Sequence, residues 1–130
     1  MLILTLRTDK PEAEVGLFEG DDKLAYSTWQ AHRQLAETIH LKIRELLESQ
    51  GRSLAELEGI LVFKGPGSFT GLRIGISVAN SLAYSLDIPI VSTGGASWVG
   101  KGISNIAAGA DEHAALPEYG SPPHITTPKR

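Results

Sequence analysis

The chain has no cysteine, which excludes disulfides and thiolate metal sites. It also has no apolar run long enough to cross a bilayer. The longest candidate, residues 74–86, contains Ser77, Asn80, Ser81 and Ser85, and a spanning helix needs about 20 apolar residues. Met1 leads directly into an alternating apolar segment, so no basic region, apolar core and cleavage site of a secretory leader is visible. No dense Lys/Arg run with interleaved aromatics occurs, and the formal charge of −3 gives no overall attraction to nucleic acid. The expectation is a cytoplasmic protein without a membrane association.

At 130 residues, with 42% hydrophobic and 21% charged residues, the chain suits one globular domain with a real core. Residues 2–6, 15–18 and 24–29 read as three strands, the last two joined by the turn residues Gly20, Asp21 and Asp22, which predicts an antiparallel meander. From about Arg33 the period lengthens, and Leu35, Ile39, Ile43, Leu46 and Leu47 fall on one helical face. Gly51 suits a C-terminal cap, and Ser53 with Glu56 has capping-box spacing for a short second helix. Residues 59–63 supply a further strand. A helix capped by Thr70 then runs to about Leu86, followed by a parallel strand at 88–91. Beyond it the glycines leave one weak helix near 96–101. The domain is expected to span 1–106, with 107–130 a Pro-rich extended or disordered tail.

The most demanding stretch is Gly65, Pro66, Gly67, Ser68, Phe69, Thr70, Gly71, Leu72, Arg73, Ile74 and Gly75. Glycine admits positive φ and close approach of another backbone or an anion, and Pro66 fixes a dihedral between two such positions. A glycine-rich turn entering a helix can cradle a phosphate, or it can be a structural turn packed on its neighbours. The spacing matches neither the Walker pattern nor the dinucleotide fingerprint. In the helix that follows, Gly75, Ala79 and Ala83 recur every four residues and make a smooth seam. It is flanked by Leu72, Ile76, Leu82 and Leu86, while Arg73, Ser77, Asn80 and Tyr84 occupy a different face.

Other chemistry is thinly represented. His32 and His40 are two helical turns apart, about 12 Å, too far to share a metal, and His113 and His124 lie in the tail. Ser68 lacks the nucleophile-elbow spacing and an obvious histidine partner. The acidic pairs Asp21–Asp22 and Asp111–Glu112 read as solvated charges, and Trp29 and Trp98 as core or interface aromatics. No metal, cofactor or catalytic residue is expected.

The eleven residues from Gly65 to Gly75 resemble the signature of the TsaB (YeaZ) family of bacterial tRNA threonylcarbamoyladenosine biosynthesis proteins. The likeness continues through the meander, the Leu-rich helix, the turn with Ser53, Leu54 and Leu57, and residues 83–91, covering roughly 2–95. It implies an α/β, ribonuclease H-like lobe of the actin-like, sugar-kinase/heat-shock ATPase type: a mixed five-stranded sheet with helices packed on it. It also implies a non-catalytic subunit that pairs through its helices with a TsaD-like catalytic subunit, joined by a TsaE-like ATPase, with tRNA contact indirect or within the complex. On this resemblance the partner interface falls on Leu35, Ile39, Ile43, Leu72, Gly75, Ile76, Ala79 and Ala83. Two departures stand out. Arg7 occupies the position where the family's first strand carries an acidic residue, and the family's second lobe has no counterpart in the residues present. The alternatives are an ATP-binding enzyme that uses the glycine loop and a homodimeric interaction module.

Overall fold

The computed structural model describes residues 1–118, and the expected tail beyond that point lies outside the described residues. The meander forms as the alternation requires: β1 (Leu2–Arg7), β2 (Glu12–Glu19) and β3 (Asp22–Gln30) pair antiparallel. The first helix, α1 (Leu35–Ser49), buries the five apolar residues its period selects, and Gly51 takes φ +64° beyond its end. A short 3-10 turn, His32–Gln34, precedes α1, and a second, Leu54–Glu56, carries the Ser53/Glu56 capping box. Strand β4 (Gly59–Phe63) pairs parallel with β1, and β5 (Ile90–Thr93) pairs parallel with β4 across the helical crossover α2 (Phe69–Leu86). The strand order is β3-β2-β1-β4-β5.

Three layers result. Leu2, Leu4 and Leu6 face one side with Val15, Leu17, Ile60, Val62 and Ile90, where α1 and α2 cover them. Ile3, Phe18, Leu61, Phe63 and Val91 face the other, beneath Trp98, Ile103 and Ile106 of α3 (Trp98–Ala107). This last helix is longer than the weak segment expected at 96–101. Its Gly102 lies directly over Leu61, where any side chain would collide with the leucine methyls, so the glycine that breaks the periodicity is what lets the helix sit close. Helix α2 starts at Phe69 with Ser68, not Thr70, at its N-cap: Ser68 O accepts the Leu72 N–H at 3.0 Å, while the Ser68 N–H donates to Asp9 O at 3.2 Å.

The described part of the expected tail is tied down by hydrogen bonds to β5, α2 and Lys64. Glu112 donates its N–H to Ile90 O at 2.8 Å, and the N–H groups of Ile90 and Ser92 donate to Asp111 Oδ1 and Glu112 Oε2. These bonds occupy the backbone groups of the β5 edge, which would otherwise be open to further pairing. Desolvation pushes the Asp111 carboxyl upward, but the N–H donors of His113 and Ile90 leave it below the ordinary aspartate range. Farther on, Asn80 clasps the backbone of Ala115 with both amide atoms, at 3.1 and 2.8 Å, and Glu118 N–H reaches Lys64 O at 2.7 Å.

Candidate functional site

The glycine loop wraps the link between β1 and β2. A Cβ built on Gly67 would collide with Asp9 Cβ, one on Gly71 with Thr8 O, and one on Gly75 with the whole Thr8 side chain. Thr8 and Asp9 are correspondingly buried, at 1% and 9% exposure. Thr8 Oγ1 donates to Gly71 O at 2.8 Å, taking up a carbonyl of the first turn of α2. Gly65, at φ +117°, backs onto Glu118 O and Leu72 Cδ1, and Gly94 backs onto Gly65 O. The room these glycines leave beside the loop is therefore filled by the chain itself. Ser68 and Thr70 are exposed at the entrance of α2, as is Pro66, whose peptide bond to Gly65 is cis.

Arg7 is locked just before this link. Its guanidinium makes a two-pronged ion pair with Asp9 (Nε–Oδ1 2.8 Å, Nη2–Oδ2 3.2 Å) and lies 4.0 Å over the Phe63 ring, which packs edge-on against Trp98. Chiefly through that pairing with Asp9, Arg7 holds its proton still more tightly than usual. Beside it Tyr26 donates its hydroxyl to Glu14, and its ring fills the space over Gly16. Burial first, and then the Glu14 carboxylate, push the Tyr26 phenol above its ordinary range. The position expected to be acidic thus holds a cation already satisfied within the lobe.

The residues assigned to a partner surface are in the core. Leu35, Ile39, Ile43, Leu72, Ile76, Ala79 and Ala83 are all at most 5% exposed, and Gly75 is buried against Thr8. This corrects the reading of the seam. Close packing at Gly75 is intramolecular, and Ala79 and Ala83 lie within the core under the helical layer. A second small-residue row, two residues out of phase and so on the far side of the helix, is the exposed one: Ser77, Ser81 and Ser85. Tyr84 beside it is 88% exposed, and Ile74, Val78 and Leu82 border it half-buried.

Between α1 and α2 lies a cavity of about 450 Å³ lined by Ala36, His40, Arg73, Ile74, Ser77 and Val78. A second, of about 300 Å³, opens at the amino end of α2 among Lys10, Arg33, Leu35, Ser68, Thr70 and Ile74. Sequence reasoning missed both. Their residues are scattered over three segments, and only the phase of α1 against α2 gathers them. Among the described residues no group of three or more His, Asp or Glu could hold a metal ion. No helix among them is long and apolar enough to cross a membrane.

A sheet ordered 3-2-1-4-5, with an antiparallel meander, parallel crossovers and helices on both faces, defines a ribonuclease H-like lobe of the actin-like ATPase type. The family model "TsaD: tRNA N6-adenosine threonylcarbamoyltransferase" matches residues 29–93, half of the chain, and the chain belongs to that family. The tRNA threonylcarbamoyladenosine biosynthesis protein TsaB of Bacillus subtilis is 36% identical over 69% of this chain and 39% of that protein. The tRNA N6-adenosine threonylcarbamoyltransferase of Trichlorobacter lovleyi is 46% identical over 47% of the chain and 18% of the enzyme. The structure of YeaZ from Pseudomonas aeruginosa superimposes with a TM-score of 0.67 at 30% identity, covering 72% of this chain and 43% of that one. RuvC of T. thermophilus in complex with a Holliday junction matches in fold alone, with a TM-score of 0.52 at 12% identity over 90% of this chain and 84% of that one. The resemblance to TsaB read from the sequence is borne out. The chain spans about two-fifths of the length of the TsaB protein it matches.

Proposed function

We propose that this lobe serves tRNA threonylcarbamoyladenosine formation as a non-catalytic cytoplasmic subunit, binding a TsaD-like catalytic subunit through the outer face of α1 and α2. The observation that carries the reading is the surface of α2. Its exposed Ser77, Ser81 and Ser85 form a low ridge that a partner helix can approach closely, with Tyr84 and the half-buried Ile74 and Val78 beside it to give up apolar surface. The non-catalytic half is supported by Arg7, whose charge is neutralised by Asp9 at the end of β1 where the family carries an acid. The glycine loop, in this reading, fixes the start of α2 and so the aim of that face. A TsaE-like ATPase then joins the pair, and tRNA is met within the complex.

Co-expression with the TsaD-type subunit of the same organism, followed by size-exclusion chromatography, tests this. The wild-type chain should co-elute at micromolar concentration. Ser81→Trp should weaken the complex at least about tenfold by overpacking the ridge, whereas Lys101→Ala, exposed on the opposite layer, should leave it unchanged. Absence of wild-type co-elution would refute the pairing.

A further inference from the structure

A further cavity, of about 420 Å³, opens beyond the last turn of α2, apart from the α1/α2 groove. Ala83, Ile88 and Pro89 give it an apolar wall. Tyr84, 88% exposed, stands at its side, and Asp87 and Asp111 supply its charge. No Lys or Arg lines it. The sign is a regional property: from Ile74 to Glu118 the chain carries Asp87, Asp111, Glu112 and Glu118 but, of the opposite sign, only Lys101, on α3 in the other layer. Asp111 is already engaged by the N–H groups of Ile90 and His113, with His113 Nδ1 at 3.4 Å from its Oδ2. Asp87 is not. Among the described residues its carboxylate has no ion-pair or hydrogen-bond partner.

Asp87 is also a poor choice for the fold. It caps the end of α2 with φ +56°, where glycine is the usual residue, and it sets a negative charge against the negative end of an 18-residue helix whose last turn holds no basic side chain. Pro89 adds to the imbalance, since it has no N–H to return to the carbonyl of Ser85. A residue that local physics disfavours twice, left unpaired on the wall of a cavity, marks a place where positive charge is wanted from outside. We infer that the cavity receives an arginine side chain from an extended segment of a partner protein, its guanidinium paired with the Asp87 carboxylate and lying against the Tyr84 ring, its stem on Ile88 and Pro89. A guanidinium forks onto a carboxylate and stacks on an aromatic face at once, which an ammonium does less well. The apolar wall suits a stem of methylenes, and the two carboxylates turn nucleic acid away. The inference does not rest on the pairing proposed above, and its test leaves the TsaD-type subunit out.

The test titrates the full chain, labelled with nitrogen-15, with acetyl-Ala-Arg-Ala-amide and with its lysine and citrulline counterparts, the backbone amide signals reporting where each lands. The arginine peptide should shift the signals of Tyr84, Asp87, Ile88 and His113 with millimolar affinity, about fivefold tighter than the lysine peptide, and the citrulline peptide, similar in shape without the charge, should leave them in place. Asp87→Asn and Tyr84→Ala should each weaken binding about fivefold. Asp87→Gly separates binding from folding. It should melt above the wild type, because glycine takes the left-handed backbone freely and the charge leaves the helix end, yet bind the arginine peptide about fivefold more weakly. No shift of these signals by the arginine peptide up to about 20 mM overturns the inference, as does equal binding of the citrulline peptide or undiminished binding by Asp87→Asn. An Asp87→Gly variant that melts below the wild type gives the carboxylate a structural task and overturns it as well.

Discussion

Replacing Gly75 with alanine isolates the contact that fixes α2 against the β1–β2 link. In an exposed helix interior the change would help by about 1 kcal/mol, because alanine is the better helix former. Here the added methyl would lie 2.9 Å from Thr8 Cγ2 and 3.0 Å from Thr8 Cβ, and within collision range of Thr8 Oγ1. Thr8 is 1% exposed and its Oγ1 is engaged with Gly71 O at 2.8 Å, so the short side chain has nowhere to turn. Overpacking costs about 1–3 kcal/mol and the displaced hydrogen bond about 1 kcal/mol more, against the propensity gain. The net loss is about 1–3 kcal/mol. For a domain of this size that lowers Tm by roughly 4–12 °C. Thermal melts and urea titrations followed by circular dichroism read it directly. Thr8→Ala alone should cost about 1 kcal/mol through its hydrogen bond, and in that background Gly75→Ala should become neutral or stabilising, a coupling of about 1–3 kcal/mol. A Gly75→Ala variant that melts at or above the wild-type temperature would mean that propensity alone governs the site. The close approach argued here would then be wrong.

Two further outcomes follow from the face of the sheet that bears Arg7. Thr5 is fully buried, between Gly16 of β2 and Leu61 of β4, and its Oγ1 has no hydrogen-bond partner among the described residues. Thr5→Val should therefore stabilise by about 1–2 kcal/mol in urea titration, and a loss of stability would show that the hydroxyl is bonded. The Tyr26 phenol, raised by burial and by Glu14, binds its proton more tightly in the folded than in the unfolded chain. Its contribution to stability is then intact below the unfolded value near 10 and declines as pH rises from there toward the folded value. Absorbance titration should show a late-ionising phenol among the three tyrosines, and Tyr26→Phe should remove it; a wild-type titration without a late component would refute the assignment.

Much of the layout is legible because it rests on periodicity. The alternation in the first 30 residues produces the meander, and the spacing of Leu35, Ile39 and Ile43 selects the buried side of α1. What the sequence hides is orientation. In α2 the apolar arc is so wide that both Gly75–Ala79–Ala83 and Ser77–Ser81–Ser85 offer a row of small residues at the same spacing, and only burial separates them. The hydroxyls were the available signal, since a row of serines desolvates at a cost that a row of alanines does not. Local composition misleads in the same way near the end of the described chain. Asp111 and Glu112 read as solvated charges, yet both accept backbone N–H groups of β5, work that no residue-by-residue reading assigns to a carboxylate.

The four-residue spacing of Gly67, Gly71 and Gly75 has a similar explanation. Such spacing suggests a groove for another helix, but the occupant is the link through Thr8 and Asp9: Gly67, just before α2, meets Asp9, and Gly71 and Gly75 within it both meet Thr8. The link is itself anchored from the other side, because Asp9 is paired with Arg7 and Arg7 is stacked on Phe63 of β4. A chain of short-range contacts therefore runs from β4 through Arg7 and the link to the first turns of α2, and each step is buried or doubly bonded. Such a chain fixes the rotation of α2 about its own axis. That rotation decides which small-residue row is sealed against the sheet and which is left exposed.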